Sequence, residues 1–131
     1  MKCNICSKPI EGYQNNPSPF RGDACCDQCN DKVIIPARLF LSRINNKQAM
    51  ILEEDNSIRF INSEGRLLSL EQLQEAVKGY IEIFPKKIPG YLAIVNEEGL
   101  LKDMRLNRLA ELAYGIKAVG PILICPSHLI E

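Results

Sequence analysis

The stretch DACCDQCN, residues 23–30, places three cysteines within five positions and decides how the N-terminal part of the chain folds. It contains the C-x-x-C motif CDQC (residues 26–29), and CNIC (residues 3–6) supplies a second motif upstream. Each motif forms a tight turn that directs two sulfurs at one ion, so two motifs complete a tetrahedral zinc site. The predicted zinc ligands are Cys3, Cys6, Cys26 and Cys29.

Cysteine has two other common uses, and both compete with the zinc hypothesis. Disulfides need an oxidising compartment, and no secretory signal is visible behind the N-terminal residues 1–4. A redox pair needs one C-x-x-C motif within a βαβ pattern, whereas this chain has two such motifs. Zinc is therefore the favoured cofactor, with one ion per chain. A site closed by four thiolates leaves no position for a catalytic water, so the predicted role of the zinc is structural.

One ligand position is ambiguous because Cys25 and Cys26 are adjacent. Cys26 keeps the C-x-x-C spacing, so we assign it to the metal and leave Cys25 as a packed or free thiol. Zinc binding would supply folding free energy that a finger of about 35 residues cannot obtain from its own core.

The segments around the two motifs indicate how the chain is divided. Turn residues lie between the motifs, and NDKVII (residues 30–35) after the second motif suits the start of a helix. The order of knuckle, hairpin, knuckle and helix resembles a treble-clef finger, with a zinc ribbon as the alternative. We predict a four-cysteine zinc finger over residues 1–35, a connecting amphipathic helix over 36–50 and an α+β domain over 51–131.

The second half carries the pattern of a compact ββαββαβ domain, so the predicted fold class is α+β. Ser69 and Gln72 form a capping box, and Gly79 is the expected end of the helix that follows it. The other predicted elements are a strand over 57–61, a returning strand over 66–68, strands over 80–84 and 91–95, a helix over 106–114 and a buried strand over 118–125.

Three stretches of this half resemble a known family: LQEAVKGYIEI (73–83), VNEEGLLKDMRLNRLA (95–110) and VGPILI (119–124). The family is a small domain of unknown function that is frequent in phage and bacterial mobile-element proteins, and the resemblance covers about residues 57–125. The family usually has two glycines before Tyr-Ile-Glu, and Lys78 replaces the first of them here. The N-terminal cysteine segment is also similar to a finger that recurs in uncharacterised phage and gut-bacterial proteins.

The composition is that of an ordinary globular protein, with 131 residues, 46% hydrophobic residues and 24% charged residues. No apolar run approaches the ~18–20 residues that a membrane-spanning helix needs. We therefore expect a cytoplasmic protein, in the host cell if a phage encodes it. The chain has no phosphate-binding loop, no nucleophile elbow and no H-E-x-x-H motif. His128 is the single histidine, so we expect no enzymatic activity.

Polar and aromatic residues of the region 80–108 form the best candidate for a ligand site. Tyrosines can stack on a base, and arginines offer a bidentate fork to phosphate near a helix start. In the alternative interpretation, Asn107 caps a helix and the arginines pair with Asp103 and Glu111. The candidate ligand-binding residues are Tyr80, Glu82, Tyr91, Asn96, Arg105, Asn107 and Arg108.

The first 50 residues carry a formal charge of +3, from seven Lys/Arg and four Asp/Glu, and the remainder carries −3. This excess gives weak support to a nucleic-acid partner, since each phosphate contact needs a cation. The candidate nucleic-acid contacts are Arg21, Lys32, Arg38, Arg43 and Lys47.

The leading functional hypothesis is a non-enzymatic intracellular binding protein of phage or mobile-element type. Some small phage proteins with comparable folds sequester nucleotide signals, so the resemblance implies a nucleotide-like ligand or a host defence or phage protein as partner. The alternatives are a zinc-finger accessory protein that binds nucleic acid and a structural subunit of a larger assembly. A homo-oligomer is left open.

Overall fold

The computed structural model describes residues 1–42, 47–85, 88–99 and 101–130. The chain forms an α+β fold, which confirms the predicted class. The elements in chain order are α1 (Asp27–Cys29), a π-helical segment (Asn30–Ile34), α2 (Ile35–Ser42), β1 (Gln48–Leu52), β2 (Ile58–Asn62), α3 (Leu70–Val77), β3 (Ile81–Ile83), β4 (Tyr91–Asn96), α4 (Arg108–Tyr114), β5 (Ile122–Pro126) and a 3₁₀ turn (Ser127–Leu129).

The five strands form one antiparallel sheet in the order β2-β1-β5-β4-β3. Successive side chains of a strand point to opposite faces, and both faces of this sheet are covered. The face against α3 contributes the buried side chains Ala49, Ile51, Ile94, Leu123 and Cys125. The opposite face, which packs against the N-terminal segment, α2 and α4, contributes Met50, Leu52, Ala93, Val95, Ile122 and Ile124.

The N-terminal segment and the sheet share one apolar cluster. Cys3, Ile5 and Phe20 are buried in the same cluster as Leu52 and Leu109. The predicted division of the chain into a finger, a connecting helix and a domain remains a prediction, but the packing of these three parts is continuous.

The helix after the second cysteine motif differs from the predicted connecting helix over 36–50. It starts earlier, runs from α1 through the π-helical segment into α2, and α2 ends at Ser42. The change from π-helical to α-helical hydrogen bonding falls directly before Pro36, which has no N–H to donate. Arg43, which lies within the predicted helix, is outside the described residues.

The first strand pair also differs from the prediction. The pattern ββαββαβ is confirmed, but its first two strands are β1 and β2, not residues 57–61 paired with 66–68. β1 was missed because it lies between β2 and β5 with both faces buried. A doubly buried strand has no alternation of polar and apolar residues, so its sequence lacks the signature of a strand.

The start of α3 confirms the predicted capping box. The Ser69 hydroxyl accepts from the Gln72 backbone N–H at 3.1 Å, and the Gln72 side chain accepts from the Ser69 N–H at 3.1 Å. The end differs from the prediction, since the left-handed cap is Lys78 with φ of 62° and not Gly79. Glycine is favoured in this conformation, which agrees with the usual glycine at this place in the similar family.

Candidate metal centre and ligand cleft

The four cysteines of the two C-x-x-C motifs lie together and could hold a metal ion. The sulfurs of Cys3, Cys6, Cys26 and Cys29 all lie within 4.8 Å of one another. The Sγ atoms of Cys6 and Cys26 are 3.9 Å apart. A tetrahedral zinc with Zn–S bonds of about 2.3 Å separates its sulfurs by about 3.8 Å, so the spacing fits such an ion.

Backbone N–H groups are directed at the sulfurs of this group. The Ile5 N–H donates to Cys3 Sγ at 3.4 Å, and the Cys29 N–H donates to Cys26 Sγ at 3.5 Å. The second bond also caps α1, because Cys26 is the residue before the helix. Such donors stabilise a thiolate and fix the direction of the ligand before a metal arrives.

The pKa values of the Cys3 and Cys29 thiols are shifted in opposite directions. Burial raises the pKa of the Cys3 thiol, but hydrogen bonds from the backbone of Cys6, Cys26 and Ile5 outweigh burial and bring it down to about 6. Burial and the neighbouring thiols raise the pKa of Cys29. A dication among the sulfurs removes the repulsion between neighbouring thiolates and favours their ionised form.

The two remaining cysteines, Cys25 and Cys125, are buried and do not belong to the group of four cysteines that could hold a metal. The backbone of Cys25 exchanges two hydrogen bonds with Asn15, at 2.8 and 3.0 Å, and its side chain packs into the core. Burial, with the adjacent thiols, raises the pKa of Cys25 to about 11, and burial raises that of Cys125 to about 12. The structure therefore assigns Cys26, and not Cys25, to the cysteine group.

The candidate ligand-binding residues do not form one site in the structure. Asn107 is completely buried: its Oδ1 caps α4 by accepting from the Ala110 N–H at 3.0 Å, and its Nδ2 donates to the carbonyls of Leu52 at 2.7 Å and Gly120 at 2.9 Å. Asn96 is also buried, and it donates to the Val77 carbonyl at 2.9 Å. Both amides hold the fold together.

The other members of this set are spread over the surface. Tyr91 is half-buried and its ring packs against Phe40, with ring centroids 5.8 Å apart. The Arg108 guanidinium donates to the Asn4 carbonyl at 2.8 and 3.2 Å, instead of pairing with a carboxylate. The Arg105 side chain is exposed. Tyr80 and Glu82 are exposed, Glu82 on the edge strand β3 and Tyr80 directly before it, and of this set only Glu82 and Asn96 line a common cleft.

Two arginines of the candidate nucleic-acid set bind the protein's own backbone. Arg38 donates to the carbonyls of Ser18 and Asn16 at 2.6 and 2.7 Å, and Arg21 donates to the Glu111 carbonyl at 2.8 Å. Lys32 is exposed in a recess beside the cysteine group. Lys47 lies elsewhere, in an open recess of about 630 Å³ that Arg66 and His128 also line. Arg43 is outside the described residues.

A cleft of about 420 Å³ lies where β3 and β4 meet the loop before β5. Apolar side chains of Phe84, Val95 and Val119 line it, together with three glutamates and Lys117. The glutamates are Glu82, Glu97 and Glu98. The sequence displayed the pair Glu97–Glu98 in a turn, but nothing in it indicated that Lys117 and Phe84 would lie nearby.

The fold and the site thus define a small α+β protein with an N-terminal four-cysteine group. The profile of a family described as Domain of unknown function (DUF3846) matches residues 46–128, and the chain belongs to this family. The match confirms the resemblance to a domain of unknown function, and it includes the strand β1; a phage origin remains a prediction.

No curated protein and no solved structure matches the chain. Among the described residues, no helix is both long enough and apolar enough to span a membrane.

Proposed function

We propose that this chain is a non-enzymatic binding protein that is folded around one structural Zn²⁺ ion. The observation that carries the proposal is the closed set of four sulfurs within 4.8 Å of one another. Four thiolates fill the tetrahedron of a zinc ion, so no position is left for a catalytic water or a substrate. Thiolate ligands also favour zinc over the oxygen-preferring Mg²⁺ and Ca²⁺.

The position of the ligands supports a structural role for the metal. Cys3 and Cys29 are buried in the cluster that also contains the inner face of the sheet. Metal binding by such a group contributes directly to the folding free energy, by an apparent ~10–16 kcal/mol in isolated zinc fingers. This is comparable to the typical net stability of about 5–15 kcal/mol for a domain, so loss of zinc is expected to unfold at least the N-terminal segment.

A matched pair of cysteine variants tests the metal assignment. Native mass spectrometry of the wild type is expected to find one Zn²⁺ per chain. Cys29→Ser removes a ligand and is expected to lose the metal, whereas Cys25→Ser is expected to keep it because Cys25 lies outside the group. Zinc loss in the Cys25 variant and retention in the Cys29 variant would contradict the assignment.

The binding site that we propose is the cleft between β3, β4 and the loop before β5. Its concave, largely apolar lining with a few charged groups is typical of ligand sites. A nucleotide-like signal stays a prediction, and its phosphates would meet three glutamates here, so like charges oppose it at this cleft.

Binding assays with variants of two surfaces separate the partners that the sequence suggests. A host defence or phage protein that binds at the cleft should be displaced when the cleft is altered, for instance by Val119→Arg. Nucleic-acid binding is the second candidate function, and the recess of Lys47 and Arg66 favours it, because these two cations line it and the described residues of its lining include no carboxylate. Lys47→Glu with Arg66→Glu should then abolish a steeply salt-dependent affinity for single-stranded DNA.

A further inference from the structure

β3 forms one edge of the sheet, and no strand in the described part of the chain pairs with its outer backbone groups. The Glu97 N–H donates to the Tyr80 carbonyl at 2.9 Å, and the Phe84 N–H donates to the Ala93 carbonyl at 2.8 Å. Hydrogen-bonded pairs alternate in an antiparallel ladder, so Glu82 also faces β4 with its N–H and C=O. The N–H and C=O groups of Ile81 and Ile83 therefore point away from the sheet, where an added strand could pair with them.

Apolar side chains surround this edge and are unusually exposed. Tyr80 is 63% exposed, Ile83 is 52% exposed and Leu101, which lines the cleft, is 85% exposed. Single exposed apolar residues are common on protein surfaces, but Tyr80 and Ile83 flank the outer edge of β3 on its two faces, because side chains alternate along an extended segment. An added strand would cover these side chains while it pairs with β3.

Three glutamates near this edge favour a partner of positive charge. Glu82 lies on β3 itself, and Glu97 and Glu98 follow β4 at the mouth of the cleft. Among the described residues, no hydrogen bond or ion pair engages these three carboxylates. Lys117 is the single cation among the described residues that line the cleft. The excess of unpaired carboxylates is complementary to a cationic ligand.

The shape of the cleft is suited to a long basic side chain. Lysine and arginine bury an apolar stem and keep the charged head at the rim. The stem would pack against Phe84, Val95 and Val119, and the head would reach the glutamates at the mouth. A free polyamine would satisfy the carboxylates but would leave the backbone edge and the exposed apolar side chains uncovered.

We propose that the partner of this protein is an extended, basic segment of another polypeptide, which pairs with the outer edge of β3 and places a lysine or arginine in the cleft. This inference rests on the proposed function, because it names the ligand class of the same cleft. The backbone of β3 provides affinity for any extended peptide, and the three glutamates provide the preference for a basic one.

The experiment is a titration of the ¹⁵N-labelled, zinc-loaded protein, followed by backbone amide shifts. The probes are the peptide acetyl-Val-Arg-Val-Arg-Val-amide, its Glu counterpart, spermidine and AMP. The basic peptide is expected to shift the amides of residues 81–84, 95–99 and 117–119. N-methylation of its alternate amides, which removes the donors to β3, is expected to abolish these shifts.

Protein variants separate the contribution of the β3 edge to binding from the contribution of the three carboxylates. Ile83→Pro removes an outward N–H that no strand uses, and Ile83→Thr is its control because it keeps the N–H. The proline variant is expected to lose the basic peptide while the threonine variant keeps it. Replacing Glu82, Glu97 and Glu98 with glutamine should weaken binding roughly 8–125-fold, from about 2–5-fold for each of the three exposed charge pairs. Lys117→Gln should strengthen it.

The outcomes distinguish this inference from the proposed function. If AMP or the Glu peptide shifts the amides of the cleft and the basic peptide does not, the cleft is a binding site but its ligand class is wrong. If spermidine binds as well as the peptide and Ile83→Pro has no effect, docking along the edge is refuted. If no probe shifts these amides, both the ligand class and the assignment of the cleft as the binding site fail.

Discussion

Asn107 offers the sharpest test of the fold, because one buried amide joins three parts of the chain. Its Oδ1 caps α4, and its Nδ2 donates to the Leu52 carbonyl of β1 and to the Gly120 carbonyl before β5. Asn107→Ala removes a cap worth about 1 kcal/mol and leaves two buried carbonyls that each cost about 1 kcal/mol or more. We expect the free energy of unfolding to fall by about 3 kcal/mol.

The variant Asn107→Asp separates the cap from the other two bonds. Aspartate is as good a cap as asparagine, but its second oxygen would face the carbonyls of Leu52 and Gly120, to which it cannot donate while it is ionised. We expect this variant to be at least as unstable as Asn107→Ala at pH 7. The control is Ser69→Asp at the exposed cap of α3, which should be nearly neutral.

The pH dependence of Asn107→Asp has a definite sign. Burial and the two carbonyls raise the folded-state pKa of the new carboxyl above its unfolded value of about 3.9. Between these two values the unfolded chain releases the proton and the folded chain retains it, so stability falls as pH rises through this range. Below pH 4 the protonated carboxyl can donate to one carbonyl, and part of the loss should be recovered relative to wild type.

Thermal and urea unfolding, followed by circular dichroism, measures these effects. For a chain of 131 residues, a loss of about 3 kcal/mol corresponds to a drop in Tm of roughly 10–15 °C. An Asn107→Asp variant as stable as wild type at pH 7 would refute the reasoning, because it would show that the Nδ2 bonds contribute nothing and that Asn107 is only a cap.

Three further predictions concern the metal and the turn after α3. Zinc content, measured with a chromogenic chelator, should fall as pH is lowered because protons compete with the metal for the thiolates; zinc retained at pH 3 would contradict the four-cysteine site. Lys78→Gly should raise the free energy of unfolding by about 0.5 kcal/mol, since relief of the left-handed backbone outweighs the added freedom of the unfolded chain; a decrease in urea unfolding would argue against the strain. Gly79→Ala should lower it by about 1–3 kcal/mol, because the new Cβ would lie 2.7 Å from the Nδ2 atom of Asn96, which its hydrogen bonds hold in place; an unchanged urea midpoint would show that this side chain can move.

The features that sequence reasoning predicted correctly depend on residues close to one another in the chain. Each C-x-x-C motif positions two ligands through one local turn, and the capping box of Ser69 and Gln72 spans three residues. The close approach of the two motifs was also predictable, because two C-x-x-C motifs at this spacing are typical of a single four-cysteine metal site. β1 was not predictable. It lies between β2 and β5 in the sheet, so both of its faces are buried and its sequence lacks the alternation of polar and apolar residues.

The candidate ligand set failed to assemble for a related reason. Polar residues of the region 80–108 were grouped by their chemistry, but Asn96 and Asn107 are buried and their amides satisfy backbone carbonyls. The sequence shows the amide that donates the hydrogen bond, but it does not show which carbonyl accepts it. That carbonyl belongs to a segment up to 55 residues away. Two of the three carboxylates that line the cleft, Glu97 and Glu98, are neighbours in a turn of the sequence, and only the fold places them beside Phe84 and Val95.

The arginines show most clearly why side-chain chemistry alone misleads. Arg21 lies at the C-terminal end of α4, where its guanidinium binds the Glu111 carbonyl and its backbone N–H binds the Leu112 carbonyl. The Glu111 carbonyl also accepts from the Gly115 N–H at 2.9 Å, and the last carbonyls of a helix carry the negative end of its dipole, so a cation from the cysteine segment stabilises them. Arg108, from the first turn of the same helix, binds the Asn4 carbonyl within the first cysteine motif. One contact is donated by the N-terminal segment and the other by α4. Together they join the segment that carries the two cysteine motifs to both ends of that helix. Residues that look like phosphate ligands in the sequence therefore connect the two halves of the fold.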